Sequence, residues 1–311
     1  MFSRCSKISA LLAMFAVALT ATAGDRGYNL RVANLYVAPD TTSAKMEELQ
    51  RGHELTLVPG GGPPGWLHVL PTLKGGREVS GWVLEKGVVF AKTPNGDRIL
   101  FGEAVDSEAE ASRRHGRKGA DLDAMRLYYA VYDLFPNSPL AGEALYRAAD
   151  VRWQIDYDDT FSRPSAKEMD PSLRTPIDEG MMKLVMKKFP GTKWADLAAY
   201  HLLDNKICGE WLGLPKCPEK ETELYERYAS EHPQSPAAPE ALYKAAWRQA
   251  ALVEIYRSDH QEGKSAAARQ KAIALAQKVA SAYPQSDWGA RAQRLAFLVE
   301  QGVILYSNAV E

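Results

Sequence analysis

Sulfur and imidazole groups offer few sites for chemistry in this chain of 311 residues. Cys208 and Cys217 bracket a short segment that contains both glycine and proline. Such a segment can turn back on itself, so an oxidising compartment would join the two sulfurs in a disulfide; the alternative is two buried free thiols. The six histidines form no His-x-x-x-His or His-Glu-x-x-His pattern, which argues against a zinc-peptidase site. They are His53, His68, His115, His201, His232 and His260.

Carboxylate and glycine-rich motifs are equally sparse. Asp156, Asp158 and Asp159 are close together, but the glycine and glutamate that complete a calcium-binding loop are absent, so we interpret them as a polar loop. The glycines at 60–62 precede two prolines and no helix, unlike a phosphate-binding loop. We therefore predict no catalytic residues, no metal and no cofactor. The protein is expected not to be an enzyme, with an unrecognised envelope enzyme as the remote alternative.

The segment from residue 28 to 92 is predicted to consist of β-strands. Short runs rich in valine, leucine and aromatic residues occur at 31–33, 35–37, 54–58, 66–70 and 81–84. They are separated by turns that contain glycine or proline, such as 59–65 and 74–76. Short strands at this spacing predict a small barrel or sandwich.

Three motifs in this segment are more specific. Leu35-x-Val37 opens it, a hydrophobic-x-x-Leu-x-x-Gly stretch follows at 46–52, and two strands begin with Gly65-Trp66 and Gly81-Trp82. In this pattern the segment resembles the bacterial Src-homology-3-like domain of secreted and cell-wall proteins. The resemblance implies a small β-barrel over residues 24–92. The segment departs from the family pattern after Val37, where its turn is shorter than the usual arginine-containing turn.

The resemblance also suggests ligand-binding residues. Tyr36, Trp66 and Trp82 would line a peptide-binding groove, as aromatic surfaces of such barrels often do. His68 follows Trp66 by two positions and so shares its strand face, which makes it a further contact candidate. The alternative is that these side chains fill the core of the small domain.

From about residue 102 the sequence becomes alanine-rich with helical periodicity, and one signature occurs four times. It is centred on Pro136, Pro190, Pro233 and Pro284. A small residue stands five positions after each proline and alanine eight after, while apolar or aromatic residues stand nine and five before. The prolines mark turns between paired helices, and Ser or Thr near each turn could cap the next helix. Each unit is thus a helical hairpin that must stack on its neighbours.

This signature resembles the tetratricopeptide repeat in the form found in periplasmic scaffold proteins of envelope assembly and cell division. The prolines are 54, 43 and 51 positions apart, against about 34 for the regular repeat. The extra residues must lie in long helices or loops, of which 157–176 is the clearest. We predict a tetratricopeptide-like α-helical solenoid over residues 123–311.

Residues 93–122 are predicted to be a linker that leads into a helix. This segment carries the main basic cluster, formed by Arg113, Arg114, His115, Arg117 and Lys118. Such a cluster can contact an anionic polymer or lipid headgroup. A solvated helix end is the simpler interpretation, and we prefer it.

The first 23 residues have the pattern of a secretory signal peptide. Arg4 and Lys7 precede an apolar stretch at 8–19 that is too short to span a bilayer, and Ala21-Thr22-Ala23 provides the small-x-small cleavage pattern. An uncleaved anchor is the alternative. No cysteine follows the cleavage point, which argues against a lipoprotein. The exported protein is therefore expected to be soluble, in the periplasm or outside the cell, without stable membrane insertion.

Charge and architecture together narrow the function to a class. Cleavage leaves 36 basic and 39 acidic side chains, which gives no electrostatic reason to expect nucleic acid as a partner. The sequence favours a non-enzymatic interaction or scaffold protein whose solenoid holds an envelope protein or peptide. The alternative is a module that targets peptidoglycan or wall peptides through the Src-homology-3-like domain.

Overall fold

The computed structural model describes residues 25–305, in which a β-sheet is followed by α-helices, as predicted. The predicted signal peptide lies outside the described residues. The strands are β1 Arg26–Asn29, β2 Ala33–Tyr36, β3 Lys45–Leu49, β4 Glu54–Leu57, β5 Trp66–Leu70, β6 Gly81–Leu84 and β7 Val88–Phe90. The helices are α1 Gly96–Ala111, α2 Ala120–Leu134, α3 Ala141–Ser162, α4 Gly180–Lys188, α5 Lys193–His201, α6 Lys216–Glu231, α7 Ala238–Ser258, α8 Glu262–Ala282 and α9 Asp287–Glu300. Short 3-10 helices occur at Lys74–Gly76, Pro164–Lys167 and Pro171–Leu173.

The seven strands form one antiparallel sheet in the order β3-β2-β6-β5-β4-β1-β7. No strand pairing within residues 25–305 joins β3 to β7, so the sheet is not closed by hydrogen bonds. Four predicted strands correspond to β2, β4, β5 and β6. The fifth, at 31–33, is wrong: Arg31 and Val32 lie in the bend between β1 and β2. The strands β1, β3 and β7 were not predicted.

One face of the sheet carries a compact apolar core. Its five most buried members are each no more than 1% exposed; they are Leu35, Leu49, Leu55, Val69 and Val83. Gly81 allows β6 to approach this core, because a Cβ there would lie 2.4 Å from Met46 Cε. The core side chains alternate along β2, β5 and β6 with Tyr36, His68 and Trp82, which therefore belong to the opposite face.

The helices after α1 are arranged in four helix–turn–helix pairs, each with one of the four prolines at its turn. The residues before these prolines end α2, α4, α6 and α8 with nearly the same backbone, φ between −132° and −126° and ψ between 52° and 58°. The alanines eight positions after each proline are fully buried; they are Ala144, Ala198, Ala241 and Ala292. The burial that the sequence predicts at these positions is confirmed.

The predicted helix caps are confirmed at two of the four turns. Thr192 and Ser286 are the N-cap residues of α5 and α9, and their hydroxyl oxygens accept hydrogen bonds from the amides of Ala195 and Gly289. Ser138 and Ser235 lie within the turn instead, where each accepts a hydrogen bond from the amide two residues later. The difference arises because α3 and α7 begin farther from their prolines than α5 and α9 do. Their turns contain more residues, so the serine no longer lies directly before the helix.

The predicted loop at 157–176 begins too early. Helix α3 continues through Tyr157 to Ser162, so Asp156, Asp158 and Asp159 lie on a helix and the polar-loop interpretation is wrong. Asp156 pairs with Arg152 one turn before it, at 2.8 Å. Asp159 pairs with Arg163 at 2.5 Å. These i,i+4 pairs favour continuation of the helix across the aspartates.

The sheet and the first helices share a second core. Tyr28 of β1 and Val89 of β7 pack with Leu100 of α1 and with Leu127 and Tyr128 of α2. The hydroxyl of Tyr28 donates to Asp133 at 2.9 Å, and Arg26 pairs with the same carboxylate at 3.0 Å. The helix expected after the linker is therefore α1, which packs on α2, and both helices contact the sheet.

Candidate functional sites

The four predicted ligand-contact residues lie together on the sheet face opposite the apolar core. Tyr36, Trp82 and His68 are directly paired across β2, β6 and β5, and Trp66 is two positions from His68 on β5. We call these four side chains the sheet aromatic cluster. Its position follows from strand alternation, since each member alternates with a core residue.

Ring contacts order the sheet aromatic cluster. His68 stacks on Trp82 with centroids 4.5 Å apart and planes 11° apart. Tyr36 and Trp66 make a T-shaped contact with ring centroids 5.6 Å apart. The hydroxyl of Ser80 lies 2.7 Å from His68 Nε2 and fixes the imidazole. Such contacts hold the rings in place before any ligand arrives.

The cluster is partly open to solvent. Trp66, His68 and Trp82 are half-buried, whereas Tyr36 is only 6% exposed. Gly62 lies against Trp82, because a Cβ on this glycine would lie 2.6 Å from Trp82 Cζ3. The cluster therefore presents Trp66 and the His68–Trp82 stack, with Tyr36 as their support.

A second candidate site is a cleft where the sheet meets α2 and α4. We call it the junction cleft; its volume is about 400 Å³. The apolar side chains that line it are Tyr28, Met125, Tyr129 and Met181, and its polar lining includes His53, Glu54 and Arg126. Sequence reasoning missed this cleft because its two methionines are far apart in the chain. The i,i+4 spacing of Met125 and Tyr129 on α2 was the one local signal.

Neighbouring residues determine the position of Arg126 and the pKa of His53, two polar residues that line the junction cleft. Arg126 donates through Nε to the carbonyl of Arg51 at 2.9 Å and pairs with Asp123. Burial, together with the nearby Arg126, lowers the pKa of His53 below its ordinary value. A neutral imidazole beside an exposed tyrosine and two methionines makes this wall suited to apolar and uncharged groups.

The predicted disulfide between Cys208 and Cys217 is confirmed, with the two Cα atoms 6.0 Å apart. The predicted basic cluster lies in the connection between α1 and α2, and not all of its charge is free. Arg117 pairs with Asp123 at 2.5 Å and with Glu110 at 3.5 Å. Arg113, Arg114 and His115 are exposed. This arrangement agrees with a solvated connection more than with a built anion site.

Within residues 25–305, no three or more histidine, cysteine or acidic side chains are grouped so that they could hold a metal ion. None of the helices in this range is both long and apolar enough to cross a membrane. No protein-family model and no curated protein sequence matches this chain. The sheet aromatic cluster and the junction cleft are two surfaces of the described residues with the geometry of a binding site.

Proposed function

We propose that this protein is an exported, non-enzymatic scaffold protein of the bacterial cell envelope that holds a protein partner at its helical region. The observation that carries the proposal is the junction cleft, an open apolar depression bounded by two different helical pairs and the sheet. Its volume of about 400 Å³ is in the range of binding pockets. It has room for one or two anchoring side chains of a partner.

The chemistry of the cleft favours a protein segment as its ligand. Methionine side chains adapt to ligands of different shape, and tyrosine combines a large contact area with a polar hydroxyl. Tyr129 is exposed and lies on α2, one turn from Met125. Glu54 and Arg126 at the rim can fix the orientation of a bound backbone.

The arrangement of the helices supports the same function. The common turn conformation and the buried alanines agree with stacked hairpins of the tetratricopeptide kind, a type of architecture that binds proteins along extended surfaces. We propose that the sheet is the Src-homology-3-like module that the sequence resembles. Its packing against α1 and α2 would close the first end of the helical stack.

Site-specific photo-crosslinking in cells tests the scaffold function. A benzophenone amino acid in place of Tyr129 should give a discrete adduct with one envelope protein. The same group in place of Phe297, an exposed residue of α9 outside the cleft, is the matched control and should not give that adduct. Absence of an adduct from position 129, or identical adducts from both positions, would contradict the proposal.

The sheet aromatic cluster favours a second candidate function, targeting to wall peptides. Two half-exposed tryptophans and a stacked histidine on a small β module form a surface on which an extended peptide can lie. This function is compatible with the first, because the cluster and the junction cleft are formed by different residues.

Binding of the purified full-length protein to cell-wall sacculi tests this second function. Trp66→Ala should weaken binding about thirtyfold, the effect of losing one hot-spot aromatic, while the circular dichroism spectrum is retained. Trp194→Ala removes a half-buried tryptophan of the helical region and is the control that should bind normally. If the native protein does not bind sacculi, wall targeting is wrong and the junction cleft remains the proposed site.

A further inference from the structure

A separate cavity of about 250 Å³ lies beside the disulfide, between the chain that follows α3 and the segment around Cys208. Phe161, Ala166, Ile207 and Trp211 form its apolar walls. Two backbone hydrogen bonds tie these segments together, from Gly209 to Glu168 at 3.0 Å and from Glu210 to Lys167 at 3.1 Å. With the disulfide on one side, these bonds make the cavity a built feature of the fold.

One of the residues that line the cavity is a buried glutamate whose carboxylate already accepts three hydrogen bonds. Glu221 is 1% exposed. It accepts hydrogen bonds from the amide of Cys208 at 3.0 Å, from Trp211 Nε1 at 3.2 Å and from Arg248 Nε at 3.0 Å. Glu221 therefore compensates one positive charge and is committed to the structure of the loop.

Arg248, which lines the cavity, keeps part of its guanidinium without a partner. This residue is 4% exposed, and its Nη1 has no hydrogen-bond partner among residues 25–305. The guanidinium lies 5.6 Å from the ring centre of Trp211 and 5.0 Å from that of Tyr225. A buried N–H group with no acceptor is costly, and an anion supplies the strongest acceptor for it.

A second buried guanidinium, that of Arg174, contacts two of the residues that form the cavity wall, Ile207 and Phe161. Arg174 is 6% exposed and donates through Nη2 to the carbonyls of Ile207 at 2.5 Å and Asp204 at 3.3 Å. Its Nη1 also lacks a partner in the described part of the chain. Burial lowers the pKa of Arg174 although the charges of Asp204 and Glu221 act to raise it. Among residues 25–305, the hydrogen bonds of this guanidinium go to these two carbonyl oxygens.

The remaining charges at the cavity offset each other. Lys167 and Glu210 line its mouth and pair at 3.6 Å, both well exposed. The carboxylate of Asp204 accepts a hydrogen bond from Trp153 Nε1 at 3.0 Å, and its charge also acts on Arg174. Glu221 and Asp204 therefore offset the charges of the two buried guanidiniums, while Nη1 of Arg248 still has no hydrogen-bond partner among residues 25–305.

We propose that this cavity binds an organic carboxylate with an apolar body of amino-acid size. The carboxylate would accept hydrogen bonds from Arg248, whose planar fork suits it. The apolar body would lie against Phe161, Ala166, Ile207 and Trp211. A free acid and the last residue of a peptide share this chemistry.

Calorimetric titration of the full-length protein with matched probes tests the proposal. N-acetyl-leucine should bind, and N-acetyl-leucinamide, which lacks the charge, should bind at least tenfold more weakly. A pentapeptide ending in leucine with a free carboxylate distinguishes the two sources. Tighter binding of this peptide than of N-acetyl-leucine assigns a peptide terminus, and weaker binding assigns a free acid.

Ala166→Phe keeps both arginines and fills the cavity, so it should weaken N-acetyl-leucine binding at least tenfold. Ala290→Phe on exposed α9 surface is the control and should bind like the native protein. A native circular dichroism melt for both variants establishes that they fold. The proposal is overturned if the acid does not bind, if the acid and the amide bind equally, or if folded Ala166→Phe retains full affinity.

Discussion

The two tryptophans of the sheet and three of the tryptophans of the helical region lie in contrasting environments. In the sheet, Trp66 and Trp82 lie on the face away from the aliphatic core and are half-buried. In the helical region, Trp153, Trp211 and Trp247 are buried in apolar clusters. The contrast shows that the helical pairs, with their small alanines, need aromatic residues to fill volume, whereas the sheet fills its core with leucine and valine.

The largest expected effect tests this contrast directly. Trp153→Ala removes a side chain that is 2% exposed and donates to Asp204. It should lower the free energy of unfolding by about 3–5 kcal/mol. Trp66→Ala, the matched change in the sheet, should cost about 1 kcal/mol. Urea denaturation followed by circular dichroism measures both, and equal losses would show that Trp66 belongs to a core.

The disulfide gives the next largest effect. The double substitution Cys208→Ser and Cys217→Ser should lower the free energy of unfolding by about 2–3 kcal/mol, because the unfolded chain loses a constraint on a short loop. The same change should loosen the loop that buries Trp211 and make this tryptophan more accessible to acrylamide quenching. If both cysteines of the unreduced native protein react with maleimide, the bond is absent and the prediction is wrong.

Helix capping should contribute less to the free energy of unfolding than the disulfide does. Ser286→Ala removes the hydroxyl that accepts from the amide of Gly289 at 3.0 Å, and we expect a loss of about 1 kcal/mol. Ser281→Ala is the control, since this exposed serine donates only to a carbonyl of its own helix. Thermal denaturation at constant pH compares the two. A loss from Ser281→Ala as large as that from Ser286→Ala would contradict a capping role.

The smallest effect is a pH dependence at the joint between the two regions. Burial holds the pKa of His53 below the ordinary value of 6.5, so the unfolded chain takes up a proton there before the folded protein does. Stability from this group is therefore present above about pH 6.5 and is lost as the pH falls below it. His53→Gln should reduce the difference in unfolding free energy between pH 7.5 and 5.5. His115→Gln, at an exposed site, should leave that difference unchanged.

Local patterns predicted the parts of the fold that local physics determines. The four prolines marked the turns because proline cannot continue a helix, and the alternation around Trp66 and Trp82 placed the aromatic cluster on one face. The cysteine pair was recognisable from the short turn between Cys208 and Cys217. Each of these features depends on residues close in sequence or on a single strand register.

Features that depend on distant partners were missed. The edge strand β3 contains Glu47 and Glu48 and buries little besides Leu49, so its sequence lacks the alternation of a half-buried strand. The junction cleft brings Met125 together with Met181, which no local spacing could indicate. Helix α3 continues past its aspartates because Arg152 and Arg163 pair with them, a contact that the polar composition concealed.

The core that the sheet shares with the first helices fixes the position of the sheet relative to α2. Tyr28 and Val89 are packed with Leu100 and Leu127, so the sheet cannot turn against α2 without opening buried apolar surface. The distance between the sheet aromatic cluster and the junction cleft is therefore fixed by this packing. A ligand long enough to touch both would make its second contact at a high effective concentration, and one of the wrong length would gain nothing from it.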